Sequence, residues 1–278
     1  MKTSNKNDAI TAISDFSNSA PASSPYFQNV SLADVITGLN QYVSSPDSLH
    51  QGLGTNLCGP SALTSQVFLK YNPLGFVNIV SDLYNKGNAS YNNGSQLISI
   101  NPSANVKQFA GELQNRFASV VSQMFLFSLR EHFAEVNYFK KAQDTIWAST
   151  ILGGEKKVAD QFFAFTNDRF GETALWGIPD KDVHAEDIQS RIDSGKIAIV
   201  LVDSGYLENL DNRYPNFGKH ETGNLAGTHY ICVLGASADQ NNNVTFKWWD
   251  YGAAHQQTMS LENFKRMIWG GIFIEKPY

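Results

Sequence analysis

His229-Tyr230-Ile231-Cys232-Val233-Leu234 and Val244-Thr245-Phe246-Lys247-Trp248-Trp249-Asp250 are two apolar runs joined through Asp239-Gln240-Asn241-Asn242-Asn243. Apolar segments rich in β-branched and aromatic residues around a polar Asn/Asp cluster read as a hairpin. Residues i and i+2 of a strand share a face, so His229, Ile231 and Val233 point one way and Tyr230, Cys232 and Leu234 the other. In the second run Val244, Phe246, Trp248 and Asp250 share a face. Pairing the runs as a hairpin sets Asp250 beyond simple ladder register with His229, yet near it.

Working outward, Ile197 to Val202 is another apolar run with the character of a buried strand, and Gly271 to Ile274 a last one. His184 to Ser194 reads as a short helix stopped by Gly195, and Leu261 to Met267 as another. Toward the N-terminus the pattern is helical. Ser61 to Tyr71 follows Pro60, which a helix tolerates in its first turn. After Pro73, Phe76, Ile79, Val80 and Leu83 form one face that ends at Gly87. Asn105 to about Phe139 is the strongest helical stretch, its Met124-Phe125-Leu126-Phe127 reading as core, and Lys156 to Phe165 is a further helical piece. Helices first and strands later predict an α+β fold with helices on an antiparallel sheet. Residues 1–25, rich in Ser, Asn and Ala, read as a flexible N-terminal arm.

The composition sets bounds on function. The 278 residues are 42% hydrophobic and 17% charged, an ordinary globular make-up with length for a substantial core. A net charge of -5 gives no electrostatic case for a nucleic-acid partner or an anionic membrane. Two cysteines are too few for a disulfide framework. No apolar run is long enough to insert in a bilayer, and the polar start of the chain lacks a Sec signal pattern. The expectation is a cytoplasmic protein, or one secreted without a Sec signal peptide.

Chemistry concentrates at three places. Thr55-Asn56-Leu57-Cys58-Gly59-Pro60-Ser61 places a thiol at a loop-to-helix junction, where unsatisfied N–H groups and the positive end of the helix dipole favour thiolate. His229 opens an apolar strand and Asp250 closes the next. A nucleophile, a base and an orienting group are the parts of a thiol nucleophile site. Taken singly, each has a plain structural reading: a buried thiol, a satisfied core histidine, a turn aspartate. Their joint occurrence favours catalysis. Strand phase keeps Cys232 off the His229 face, which makes Cys58 the nucleophile and Cys232 core. Gln51 is the first candidate for an oxyanion donor and Asn56 the second. A metal site from His220, His229, Cys232 and Asp250 matches no zinc spacing, and no cofactor is expected.

These pieces, in order, resemble the C39-like branch of the papain-like cysteine peptidase superfamily. The resemblance is carried by Gln51, Leu57 to Ala62, the helix to Gly195 entering Ile197 to Val202, Gly227-Thr228-His229-Tyr230, Trp249-Asp250-Tyr251-Gly252, and the closing Ser260 to Phe264 and Trp269 to Ile274. It covers roughly residues 50–95 and 182–276. It implies one papain-like domain over residues 26–278, with the nucleophile helix packed on the sheet. In the site, Cys58 would be nucleophile, His229 base then acid, Asp250 its orienter and Gln51 part of the oxyanion hole. The long separation of Cys58 from His229 implies a helical insertion over about residues 100–175. The expected activity is hydrolysis of a peptide or amide bond in a protein or peptide substrate, in the format of a bacterial effector or toxin. The alternatives are a deamidase or transglutaminase-like acyltransferase on the same site, and an inactive binding module.

Overall fold

The computed structural model describes residues 2–51, 57–112, 119–133, 158–164, 167–171, 184–207 and 229–277. The chain forms two compact units: Met1–Thr150 with Lys157–Phe165 and Pro277–Tyr278, and Ile151–Lys156 with Thr166–Lys276. Both helices and antiparallel sheets are present, so the architecture is mixed α+β.

The first unit begins with helix α1 (Lys6–Ser19), N-capped by Asn5 accepting from the Asp8 amide. Ala9, Ile13 and Phe16 form its buried stripe, and the Phe16 ring meets Tyr84 edge-on at 5.4 Å. The expected flexible arm is therefore corrected for residues 6–19. Its polar composition conceals apolar residues at i, i+4 and i+7, which is enough to bind a helix to a core. Ser4 is tied down as well: its amide donates to the Tyr71 carbonyl, and its hydroxyl donates to Asn72 Oδ1 at 2.8 Å. Helix α2 (Leu32–Ser44), capped by Ser31, buries Val35, Leu39, Tyr42 and Val43.

Helix α3 (Cys58–Leu63) continues through a π-helical turn, Thr64–Phe68, into α4 (Leu69–Tyr71). Pro60 sits in its first turn, as expected. Helix α5 (Pro73–Lys86) starts at the predicted proline and ends at Gly87, whose φ of 69° makes the left-handed cap that glycine supplies. Strands β1 (Ala89–Asn92) and β2 (Leu97–Ile100) then form a small antiparallel hairpin.

The long helix expected from Asn105 is broken. Helix α6 (Ala104–Phe109) stops before Gly111, at φ 96°, where a side chain would run into the Asn29 carbonyl. Helix α7 (Val120–Phe133) follows, and the expected continuation to Phe139 lies outside the described residues. Val121, Met124, Phe125, Leu126, Phe127 and Leu129 are all buried. Phe125 stacks on Phe68 at 6.2 Å and lies 4.9 Å from Phe76. The piece predicted near Lys156–Phe165 is a π-helical turn, Val158–Phe162, whose Phe162 and Phe163 join this aromatic cluster. Among the described residues of the segment 100–175, expected to be an insertion, α7 is buried on nearly all sides.

In the second unit β3 (Asn167–Gly171) is a strand within the segment expected to be helical. It is followed by helix α8 (Ala185–Asp193) and strands β4 (Lys196–Val202), β5 (His229–Ala238), β6 (Asn243–Asp250) and β7 (Ala253–Ser260). Helix α9 (Leu261–Met267) and strand β8 (Ile268–Glu275) complete it. The six strands run in the order β3-β8-β4-β5-β6-β7, every neighbour antiparallel. One face gathers Ala198, Val200, Ile231, Val233, Phe246 and Trp248 with Ile188 of α8 and Phe264 of α9. The β5–β6 register shifts between Val233 and Gly235, a bulge that leaves Leu234 exposed and returns Ala236 to the core. β7, reading Ala-Ala-His-Gln-Gln-Thr-Met-Ser, carries too little apolar alternation to be seen in the sequence; it is a mostly exposed edge strand.

Candidate functional site

The hairpin register explains how the histidine and the aspartate meet. Cys232 lies opposite Trp249 and Val233 opposite Trp248. Continuing the ladder toward the start of β5 brings Asp250 onto the face shared by His229 and Ile231, one diagonal step from the histidine. His229 Nε2 and Asp250 Oδ1 are 2.8 Å apart, with side-chain exposures of 7% and 2%. Burial strengthens such a contact and makes its loss costly. Since the carboxylate oxygen only accepts, Nε2 carries the proton when the ring is neutral. Any proton that His229 takes up or hands on then passes through Nδ1.

A tight turn completes this corner. Asp250 pairs with Ala253, so Tyr251 and Gly252 alone join β6 to β7. Their φ values, 46° and 81°, are both positive, the mark of a type I′ hairpin turn. Tyr251 thereby folds back over His229: the rings are stacked at 5.3 Å between centroids and 8° between planes. His255 Nε2 donates to the Asp250 carbonyl at 3.2 Å, and its ring lies 5.4 Å from Trp248. Nothing in the strand periodicity signals this stacking; the Tyr-Gly pair between two runs is its only trace.

In the first unit, Cys58 is the first residue of α3 and partly exposed. The position before it, Leu57, has no side chain that caps the helix, and Pro60 has no N–H. Gln51 is buried, at the end of the segment that follows the 3₁₀ turn Pro46–Ser48. That turn is fastened to the Cys58-bearing helix at its π-helical turn. Ser65 Oγ donates to the Pro46 carbonyl at 3.0 Å and Gln66 Nε2 to Asp47 Oδ1 at 2.9 Å. Lys70 bridges Gln66 Oε1 at 2.9 Å and Asp47 at 2.8 Å. Sequence reasoning missed this clamp, because a π-helical turn leaves no periodic signature over five residues.

The site residues divide as follows. Gln51 and Cys58 belong to the first unit, His229 and Asp250 to the second, and the last two are in contact. Cys232 is buried, on the strand face opposite His229. Asn56 and His220 lie outside the described residues. Among the described residues no group of three or more His, Cys, Asp or Glu side chains is placed to hold a metal, and no helix is long and apolar enough to cross a membrane. Comparison of the chain with protein-family models, with curated proteins and with solved structures finds no match.

Proposed function

We propose that the chain is a thiol hydrolase of papain-like architecture that cleaves a peptide or amide bond through an acyl-enzyme on Cys58. The observation that carries the reading is the buried His229–Asp250 pair at 2.8 Å, which commits Nε2 to the carboxylate and directs proton transfer through Nδ1. It is supported by the only other thiol besides core Cys232 standing at an uncapped helix start. In the proposed reaction the Cys58 thiolate adds to the substrate carbonyl while the amide of Gln51 and the Cys58 N–H take up the oxyanion charge. The C–N bond then breaks as the leaving amine takes the proton from His229 Nδ1. Water, losing a proton to the same nitrogen, adds to the thioester, and the thiol leaves with the carboxylic product released. Asp250 keeps the imidazole in one tautomer throughout.

The test is the pH dependence of Cys58 alkylation by iodoacetamide, in a Cys232→Ala background, with and without His229→Ala. A thiol of ordinary pKa, about 8.5, is almost wholly protonated at pH 6.5, whereas a paired thiolate is not. Allowing for the lower nucleophilicity of a low-pKa thiolate, the expected advantage at pH 6.5 is about 5- to 10-fold, lost in His229→Ala. Equal, slow alkylation in both proteins sinks the proposal. Mass spectrometry of proteins treated with the active enzyme then separates outcomes: new chain termini mean hydrolysis of the main chain, altered glutamine side chains mean deamidation or acyl transfer.

A further inference from the structure

We infer that Tyr251 is a positioning residue for His229, holding the imidazole plane while Asp250 holds its Nε2. The inference rests on the reading of His229 as general base. The hydrogen bond to Asp250 fixes one ring atom, and a tilt about the line to that acceptor is the motion it resists least. The Tyr251 ring, parallel within 8° and 5.3 Å away, blocks that tilt and covers one face of the ring.

The backbone shows that the arrangement runs against local preference. Tyr251 has a φ of 46°, in the left-handed region that bulky residues avoid, and a type I′ turn favours Asn-Gly at these two positions. A residue chosen for the turn alone would be asparagine. The tyrosine fits the turn worse, and what it adds is a ring stacked on His229 and packed against the core of the second unit. Two other titratable groups near this corner have hydrogen bonds of their own. Asp203, next to Val202 opposite His229, accepts from the Gly205 amide at 2.9 Å, and His255 donates to the Asp250 carbonyl.

Tyr251→Asn and Tyr251→Phe in the full chain, both with Cys232→Ala, separate turn from ring. Three readouts apply: the thermal midpoint, the exchange broadening of the His229 ring signals in long-range nitrogen–proton spectra, and Cys58 alkylation against pH. The expected result for Tyr251→Asn is a folded protein with a midpoint near the parent's, since Asn-Gly suits the turn while the packing of the tyrosine ring is lost. With it come broadened His229 ring signals in place of sharp ones and a roughly 3- to 10-fold fall in Cys58 alkylation below neutral pH. Tyr251→Phe, which keeps the stacked ring, restores the sharp signals and most of the reactivity. A Tyr251→Asn protein with the parent His229 signals and the parent alkylation profile overturns the inference. If Cys58 of the parent reacts as an ordinary thiol, the hydrolase reading falls on its own. The His229 signal then decides Tyr251: broadened in Tyr251→Asn and sharp in Tyr251→Phe sustains positioning, unchanged in both overturns it.

Discussion

Asp250 is tied to the site twice over, its side chain accepting from His229 and its carbonyl accepting from His255. Replacing it with alanine removes the first tie and leaves a buried imidazole N–H without its acceptor. Asp250→Ala is therefore expected to lose about 1–3 kcal/mol of stability in urea unfolding, the cost of an unmet buried polar group. It should also bring Cys58 alkylation down to the His229→Ala profile. Unchanged reactivity with lowered stability would make the pair a structural one only. Cys232→Ser offers the opposite contrast. Its sulfur is buried on the far face of the strand, so a hydroxyl there is expected to cost roughly 1–2 kcal/mol while Cys58 keeps its pH profile. The phase that separates Cys232 from His229, and that aligns Asp250 with His229, was legible because a strand alternates rigidly between two faces. The Tyr251 contact was not, because it comes from two positive φ values in a turn, which the residue names Tyr-Gly only half disclose.

At the scale of elements, the helix from Cys58 to Tyr71 does more than present a thiol. Its π-helical turn pushes Ser65 and Gln66 onto Pro46 and Asp47, and so anchors the segment that leads through Leu49 and His50 to Gln51. If Gln51 serves the oxyanion, this clamp sets where its amide can reach. Gln66→Leu breaks the bond to Asp47 and the support of Lys70. Acylation by p-nitrophenyl acetate passes through an oxyanion, whereas alkylation by iodoacetamide does not. The expected outcome is an acylation rate about 10-fold lower, a fraction of what deleting an oxyanion donor costs, with alkylation unchanged. Equal loss in both reactions would mean that the clamp supports the thiol itself. Elements bounded by strong punctuation were read correctly from sequence: α5 between Pro73 and Gly87, α9 up to Met267, and β4 after Gly195. Those without it were not. α1 hid three apolar residues in a polar stretch, β7 is a polar edge, and the break at Gly111 depends on the Asn29 carbonyl, a tertiary neighbour remote in sequence.

At the scale of the whole molecule the chain divides into two units, with the buried helix α7 in one and β3 in the sheet of the other. Sequence patterns report which face of an element is buried but not against which partner, so an integral helix and an inserted one look alike. The division has a consequence for stability at high pH. Tyr42, Tyr71, Tyr84 and Tyr91 all belong to the first unit, and burial raises the pKa of each above the ordinary value of a phenol. For Tyr91, whose hydroxyl accepts from Asn72 Nδ2 at 3.3 Å, the rise is to about 12. A group that holds its proton more tightly when folded stabilises the fold fully below its unfolded pKa, and that contribution disappears as pH rises through the folded one. Tyr91 alone then accounts for up to about 2–3 kcal/mol lost between roughly pH 10 and 12. The first unit is thus expected to unfold in this window, with tyrosinate absorbance rising together with loss of helical circular dichroism. Tyr91→Phe should flatten the alkaline limb of the urea midpoint against pH, even if it lowers the plateau near neutrality by losing the Asn72 contact. An alkaline limb as steep as the parent's would remove Tyr91 as its source and leave the three other tyrosines to account for it.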